Sequence, residues 1–410
     1  MPNGEIPGIY AEVNAPIPAA QAFRSTGDAA ILSQAAILLA LGIQLRGDEL
    51  QLSARAFNLA ATPPPELLPR DDLAALGLPP LSPAFGRLDA QRIRGGLQTR
   101  YAMRLQTLRP GEVDPALMTK ILPDLADRFF SQPSPLAAAE LMEVSLNHPH
   151  ELIRVSAATA YSDRSSEPDR LLAILKTGTR STDDLTRSVA ATALAQIAPE
   201  SEELNELTRR KRGNTATGAA SHTTVLVHGT WALNSPWWQP GGNFHSYLTQ
   251  TLPPLPRTSP LPPAPPWSAP YAAADYYSWS GGYSDAARAL AATDLVKWAG
   301  AHSAPDADFI THSHGGNVAM LATQPGMAMT AKEMVLLSCP VHFPQYVPDF
   351  SRVRKIVSIR VHLDLVILAD RGGQRFNDPH ISENVLRVWF DHFATHDPAV
   401  WNKYSVPAML

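Results

Sequence analysis

The stretch Asp308-Phe-Ile-Thr-His-Ser-His-Gly-Gly-Asn317 does more than any other to limit what this chain can fold into. A short apolar strand, Asp308 to Ile310, runs into a serine, then two glycines, then an apolar helical pattern from Val318 to Ala322. The chain must therefore turn sharply from strand to helix at Ser313. A residue at the tip of such a turn carries a strained backbone, and strain of that kind collects at working sites. Gly315 falls where a side chain would collide with the neighbouring strand.

The flanking residues decide whether this corner is chemical or only architectural. Thr223-Thr-Val-Leu-Val-His-Gly229 is a β-branched apolar run ending in glycine, which suits a buried central strand. Ala274 to Trp279, Glu333 to Ser338, Lys355 to Val361 and Val385 to Phe390 are further strand candidates. Gly281-Gly-Tyr-Ser-Asp285 reads as a turn with a helix cap, leading to a helix that ends near Gly300. Strands alternating with helices imply a mainly parallel sheet with helices on both faces. An insertion at about 231–270 is rich in Trp and Pro, and its nine prolines from Pro253 to Pro270 exclude helix or central strand there.

The first half reads differently. At 410 residues the chain is too long for one core, which stops growing at roughly 250–300 residues. Residues 1–110 form an irregular and helical region, with a helix over Ala29 to Leu45 and proline clusters after it. From 111 to 207 the spacing predicts helices near 115–130, 136–147, 151–161, 168–177 and 182–197. Pro115 suits a first helical position, and Ser181 is placed to cap the last helix, with Asp184 answering it. Leu152, Arg154, Ala157, Ala158, Thr159 and Ala160 recur 33 positions later as Leu185, Arg187, Ala190, Ala191, Thr192 and Ala193. The pair resembles HEAT-like repeats, and a plain Ala-rich helical bundle accounts for the same spacing. Residues 208–221, four basic residues followed by small polar ones, read as a flexible linker. The second domain then occupies 222–410.

Composition excludes several functions. A net charge of −4 gives no footprint for nucleic acid or an anionic membrane. The single cysteine, Cys339, excludes intrachain disulfides and reads as a small buried hydrophobe, in keeping with a reducing, cytoplasmic setting. No basic region leads directly into an apolar run at the N-terminus, so no ordinary signal peptide is visible. The helix at Ala29 to Leu45 falls short of the ~20 residues that span a bilayer, so no transmembrane segment is expected. The His392/His396 spacing lacks a His-Glu pair and precedes Pro398, so no metal is expected.

The strand, Ser313 and the glycines resemble the nucleophile elbow of the α/β-hydrolase superfamily, especially its lipase and esterase branches. One position departs from that motif: Thr311 stands where the first glycine of G-x-S-x-G would be. The resemblance covers the second domain only. It implies an α/β hydrolase fold, behind an all-α, HEAT-like N-terminal domain, and a Ser-Asp-His triad in chain order. Asp364, at the end of the strand after Lys355, is then the acid, with Asp370 the alternative. His396, in the loop after the last strand, is the base, with His392 the alternative. The residue after His228-Gly229 gives one oxyanion N–H, which maps to Thr230 with Trp231 as the alternative. His314, directly after the serine, gives the other. His312 and His314 otherwise read as supporting residues, and Gly316 and Asn317 as helix packing.

The aromatic residues Trp231, Trp237 and Trp238 lie beside this loop and would wall an apolar acyl or aryl substrate. The implied activity is carboxylic ester hydrolysis through an acyl-enzyme, with no cofactor, on a small-molecule or lipid ester. A phospholipase or lipase toxin with a helical docking domain uses the same residues. A non-catalytic hydrolase-fold scaffold, with a protein partner for the helical half, is the third reading.

Overall fold

The computed structural model describes residues 10–46, 68–79, 81, 93, 115–162, 167–209, 224–252, 267–302, 304, 306–327 and 329–410. Most of the linker and the prolines from 253 to 266 lie outside them. The helices before the linker are α1 (Ala19–Ala22), α2 (Asp28–Leu45), α3 (Arg70–Leu76), α4 (Pro115–Ser131), α5 (Pro135–Ser145), α6 (Glu151–Tyr161), α7 (Pro168–Gly178), α8 (Asp184–Ile197) and α9 (Glu202–Thr208). Then follow β1 (Thr224–Val227), α10 (Asn243–Thr251), α11 (Asp285–Ala301), β2 (Asp306–His312), α12 (His314–Thr323), β3 (Thr330–Leu337) and β4 (Val353–His362). The chain ends with α13 (Leu365–Asp370), β5 (Ile381–Trp389) and α14 (Pro398–Lys403).

These elements form two compact units. The first comprises Met1–Leu204, His362–Gly372 and Arg387–Asp391, and the second comprises Asn205–Val361, Gly373–Leu386 and His392–Leu410. The first division between them falls at Leu204/Asn205, and two short later segments count with the helical unit.

In the first unit, α6 packs on α2, α7 and α8. Helix α2 is apolar on nearly every face, which marks a buried helix rather than an amphipathic one. Its mean hydropathy of 1.7 and 18-residue length meet the requirement for a membrane span, but 78% of it is buried inside the protein, as in a core helix. The 33-residue recurrence reappears in the structure. Arg154 donates through Nη1 to the His148 and Pro149 carbonyls at 2.7 Å, and Arg187 donates to the Ser181 carbonyl at 2.9 Å. His150 and Asp183 hold the matching N-cap positions of α6 and α8. The expected Ser181 cap is displaced by Asp183, whose carboxylate accepts from the Thr186 N–H at 2.9 Å. The Ser181 hydroxyl instead donates to Glu151 at 2.7 Å and accepts the Asp183 N–H at 3.2 Å. A carboxylate outcompetes a hydroxyl for helix N–H groups because its bonds are charge-assisted.

The sheet has five parallel strands in the order β1-β2-β3-β4-β5. Helices and a parallel sheet together make an α/β architecture. β1, β2, β3 and β4 pair in register through Val227 with Thr311, Thr311 with Leu336, and Leu336 with Ser358. Val225, Phe309, Met334, Leu336 and Ile356 from the strands, with Val318 and Met320 from α12 and Leu295 from α11, form one buried cluster in the second unit. A strand expected over Ala274 to Trp279 is absent. The sheet edge is met earlier, where the Tyr271 N–H donates to the Thr224 carbonyl at 2.9 Å and Pro270 bridges Thr224. The aromatic run is then anchored by side chains rather than by a ladder. Tyr277 donates to the Ala291 carbonyl at 2.7 Å and Trp279 to the His228 carbonyl at 2.8 Å.

Candidate active site

Ser313 is the N-cap residue between β2 and α12, with φ 54 and ψ −137. A non-glycine residue there costs on the order of 1–3 kcal/mol, which the surrounding packing must impose. The source of that constraint is visible on both sides. The Ser313 N–H donates to the Leu337 carbonyl at 2.8 Å, fixing the turn to β3. A Cβ on Gly315 would lie 2.4 Å from the Val227 carbonyl oxygen, so α12 starts hard against the end of β1. The expected collision at Gly315 is therefore observed.

The same close packing brings the His228-Gly229 turn against the serine. A Cβ built on Gly229 would fall 2.7 Å from the Ser313 Cβ and 3.3 Å from its Oγ. Only a residue without a side chain leaves that space in front of the hydroxyl. Within the turn, the Trp231 N–H is spent on the Gly281 carbonyl at 3.0 Å and the Ala232 N–H on the Gly229 carbonyl at 3.4 Å. Among the described residues the Thr230 N–H has no partner, whereas the Trp231 N–H is engaged. Thr230 Oγ1 is also buried without a partner. The His314 N–H opens α12, where helix amides point outward with the positive end of the dipole. Its side chain is held from behind: Asn317 Nδ2 donates to His314 Nδ1 at 2.9 Å, and Cys339 Sγ donates to Asn317 Oδ1 at 3.3 Å. Asn317 thus does more than pack α12, while Cys339 is buried as expected.

The candidate base lies in a short 3-10 segment, His392–His396, directly before α14. Asp397 caps α14 and Pro398 is its first residue, as the sequence predicts. The His396 ring meets the His312 ring edge-on at 4.6 Å between centroids, and His312 is the residue before Ser313. His312 Nε2 donates to the His392 carbonyl at 3.2 Å, which ties the 3-10 segment to β2. His396 Nε2 is buried and makes no hydrogen bond. No protein-family model, curated protein or solved structure matches this chain.

Burial dominates the electrostatics here. It pushes the His396 imidazole down to about 3, and His392 nearby adds to the effect. His312 is held well below its ordinary value by burial, with His392 and His396 adding to the effect, and His228 is pushed down to about 4 by burial. All three rings are neutral at pH 7.

The three tryptophans divide in role. Trp238 is 2% exposed, lies on His228 at 4.3 Å and donates to the Ala232 carbonyl at 2.9 Å, so it packs the turn and offers no wall. Trp231 stacks on Tyr283 at 6.4 Å, and Trp237 stacks on His396 at 4.0 Å and 6°. Asp364 belongs to the first unit, where it is fully buried and caps α13 by accepting the Val366 and Ile367 N–H groups at 3.0 and 3.2 Å. Asp370 closes the same helix. Gly281 and Tyr283, which read only as a turn, support the loop after β1 through the Trp231 N–H and indole ring. Nothing in the sequence marks a carbonyl as the partner of one particular amide.

Proposed function

We propose that the second unit carries a serine hydrolase of the α/β-hydrolase type that cleaves carboxylic esters. The observation that carries this reading is Ser313: a strained serine at a strand-to-helix turn, with the Gly229 backbone packed against its hydroxyl. A parallel sheet with that serine at the end of β2 supports it, because ligands in open α/β sheets bind at the carboxyl ends of strands.

In the proposed reaction Ser313 Oγ attacks the ester carbonyl. His396 takes the hydroxyl proton and delivers it to the leaving alcohol. The N–H groups of Thr230 and His314 receive the charge that develops on the carbonyl oxygen. Water then hydrolyses the acyl-enzyme by the same proton transfers in reverse. The exposed part of Trp231 favours an apolar acyl or aryl group. The helical unit, with its HEAT-like recurrence, is proposed as a docking module for a protein partner.

A serine-directed fluorophosphonate tests the reading. It should label the intact protein and fail to label Ser313→Ala, and an ester series of increasing acyl length should then define the substrate. Labelling that persists in S313A would refute the assignment.

A further inference from the structure

We infer that Trp237 is a positioning residue for the proposed reaction, its indole face holding the His396 ring and favouring that ring's protonated form as the Ser313 proton arrives. The inference rests on the hydrolase reading above.

A histidine that acts as general base must become an imidazolium in the transition state. In a dry site that charge needs compensation. Most groups around His396 in its own unit offer none. The titratable groups facing it are His312 from β2, at 4.6 Å, and His392 from its own 3-10 segment, and either one as a cation would repel it. Phe244 from α10 and Phe393 are neutral rings at 6.1 and 5.9 Å, tilted and edge-on. Among the described residues Trp237 alone presents a ring face, parallel within 6° at 4.0 Å. Indole has the most negative face of the aromatic side chains, and its attraction for a cation grows when water is excluded. That attraction is realised only once the imidazole is charged, so it lowers the barrier more than it stabilises the resting enzyme.

The loop that carries Trp237 is fixed in advance. Trp238 Nε1 donates to the Ala232 carbonyl at 2.9 Å and Gln239 Nε2 to the Leu233 carbonyl at 3.3 Å. The Gly242 N–H donates to the Gln239 carbonyl at 2.8 Å. Trp237 itself is half-buried, so replacing it opens no sealed cavity.

The test compares full-length wild type, S313A, W237F and W237L on p-nitrophenyl butyrate across pH. W237L should lower kcat about three- to tenfold with KM within about twofold, the size of a desolvated cation–π contact. The acidic limb of its kcat profile should move about half a unit to one unit lower, and W237F should fall between. An acidic limb unmoved in W237L would overturn the inference, as would W237F behaving like W237L. If W237L does not fold, W237F alone decides: a limb shifted downward supports the inference and an unmoved limb overturns it. Turnover surviving in S313A would instead sink the hydrolase reading. S313A dead with W237L unchanged would sink only the role of Trp237.

Discussion

Alanine at position 315 tests the corner on which the proposed chemistry stands. Its Cβ would lie 2.4 Å from the Val227 carbonyl oxygen, 2.6 Å from that of His228 and 3.0 Å from the His228 carbonyl carbon. Real contacts of this kind essentially never fall below 3.0 Å, so α12 and the end of β1 must part by about 0.6 Å. Val227 is paired with Thr311, so β1 cannot retreat without disturbing its ladder. Overpacking against such a wall costs about 1–3 kcal/mol. At a urea slope near 2 kcal/mol/M the midpoint should drop by about 0.5–1.5 M. Seven of the eight tryptophans lie in the second unit, Trp389 being the exception, so tryptophan fluorescence follows the right transition. Because the shift moves Ser313 relative to Gly229, fluorophosphonate labelling should also slow at least tenfold. Gly316→Ala is the control. Its Cβ meets a side chain, Cys339 Sγ at 2.5 Å, so adding Cys339→Ala should recover much of the lost stability. No such trimming exists for position 315. A G315A protein within ~0.5 kcal/mol of wild type and labelled at the wild-type rate would refute the close-packed corner.

Two further outcomes follow from other parts of the chain. His228, pushed down to about 4 by burial, stays neutral in the fold while the unfolded chain takes up a proton near pH 6.5. Its contribution is therefore full above about pH 6.5 and is lost as pH falls toward 4, by up to ~1.4 kcal/mol per pH unit. His228→Phe should make the urea midpoint of the second unit less sensitive to pH between 7.5 and 5 by about one proton. An unchanged dependence would show that His228 is already charged in the fold. In the first unit, Arg154→Leu and Arg187→Leu each remove charge-assisted bonds to carbonyls at matching repeat positions. Each should cost roughly 1–2 kcal/mol in circular-dichroism unfolding, R154L somewhat more because two carbonyls lose their donor.

What was legible in the sequence, and what was not, divides along the distance over which each feature is determined. The turn at Ser313 could be read because a serine, two glycines and an apolar run are local, and Gly315 has one steric purpose. The 33-residue recurrence was legible for the same reason: Arg154 and the small residues after it return as Arg187 and its own run within a single helix each, whereas the caps, His150 and Asp183, differ. Ala274 to Trp279 misled because aromatic alternation suits a strand equally well. Its Tyr277 and Trp279 instead spend their polar tips on the Ala291 and His228 carbonyls, and a sequence does not announce such partners. The stacking of Trp237 on His396 is the extreme case. Nothing near either residue signals the other, and a tryptophan beside a proline reads as wall or filler. Only the fold sets the two rings parallel, and that arrangement changes what the tryptophan is for. A ring that bounds a pocket acts on substrate affinity, whereas a ring that faces the base acts on the charge the base must carry. Substrate binding and proton transfer are therefore separable on this one loop: Trp231 should govern KM, and Trp237 should govern kcat and its pH dependence.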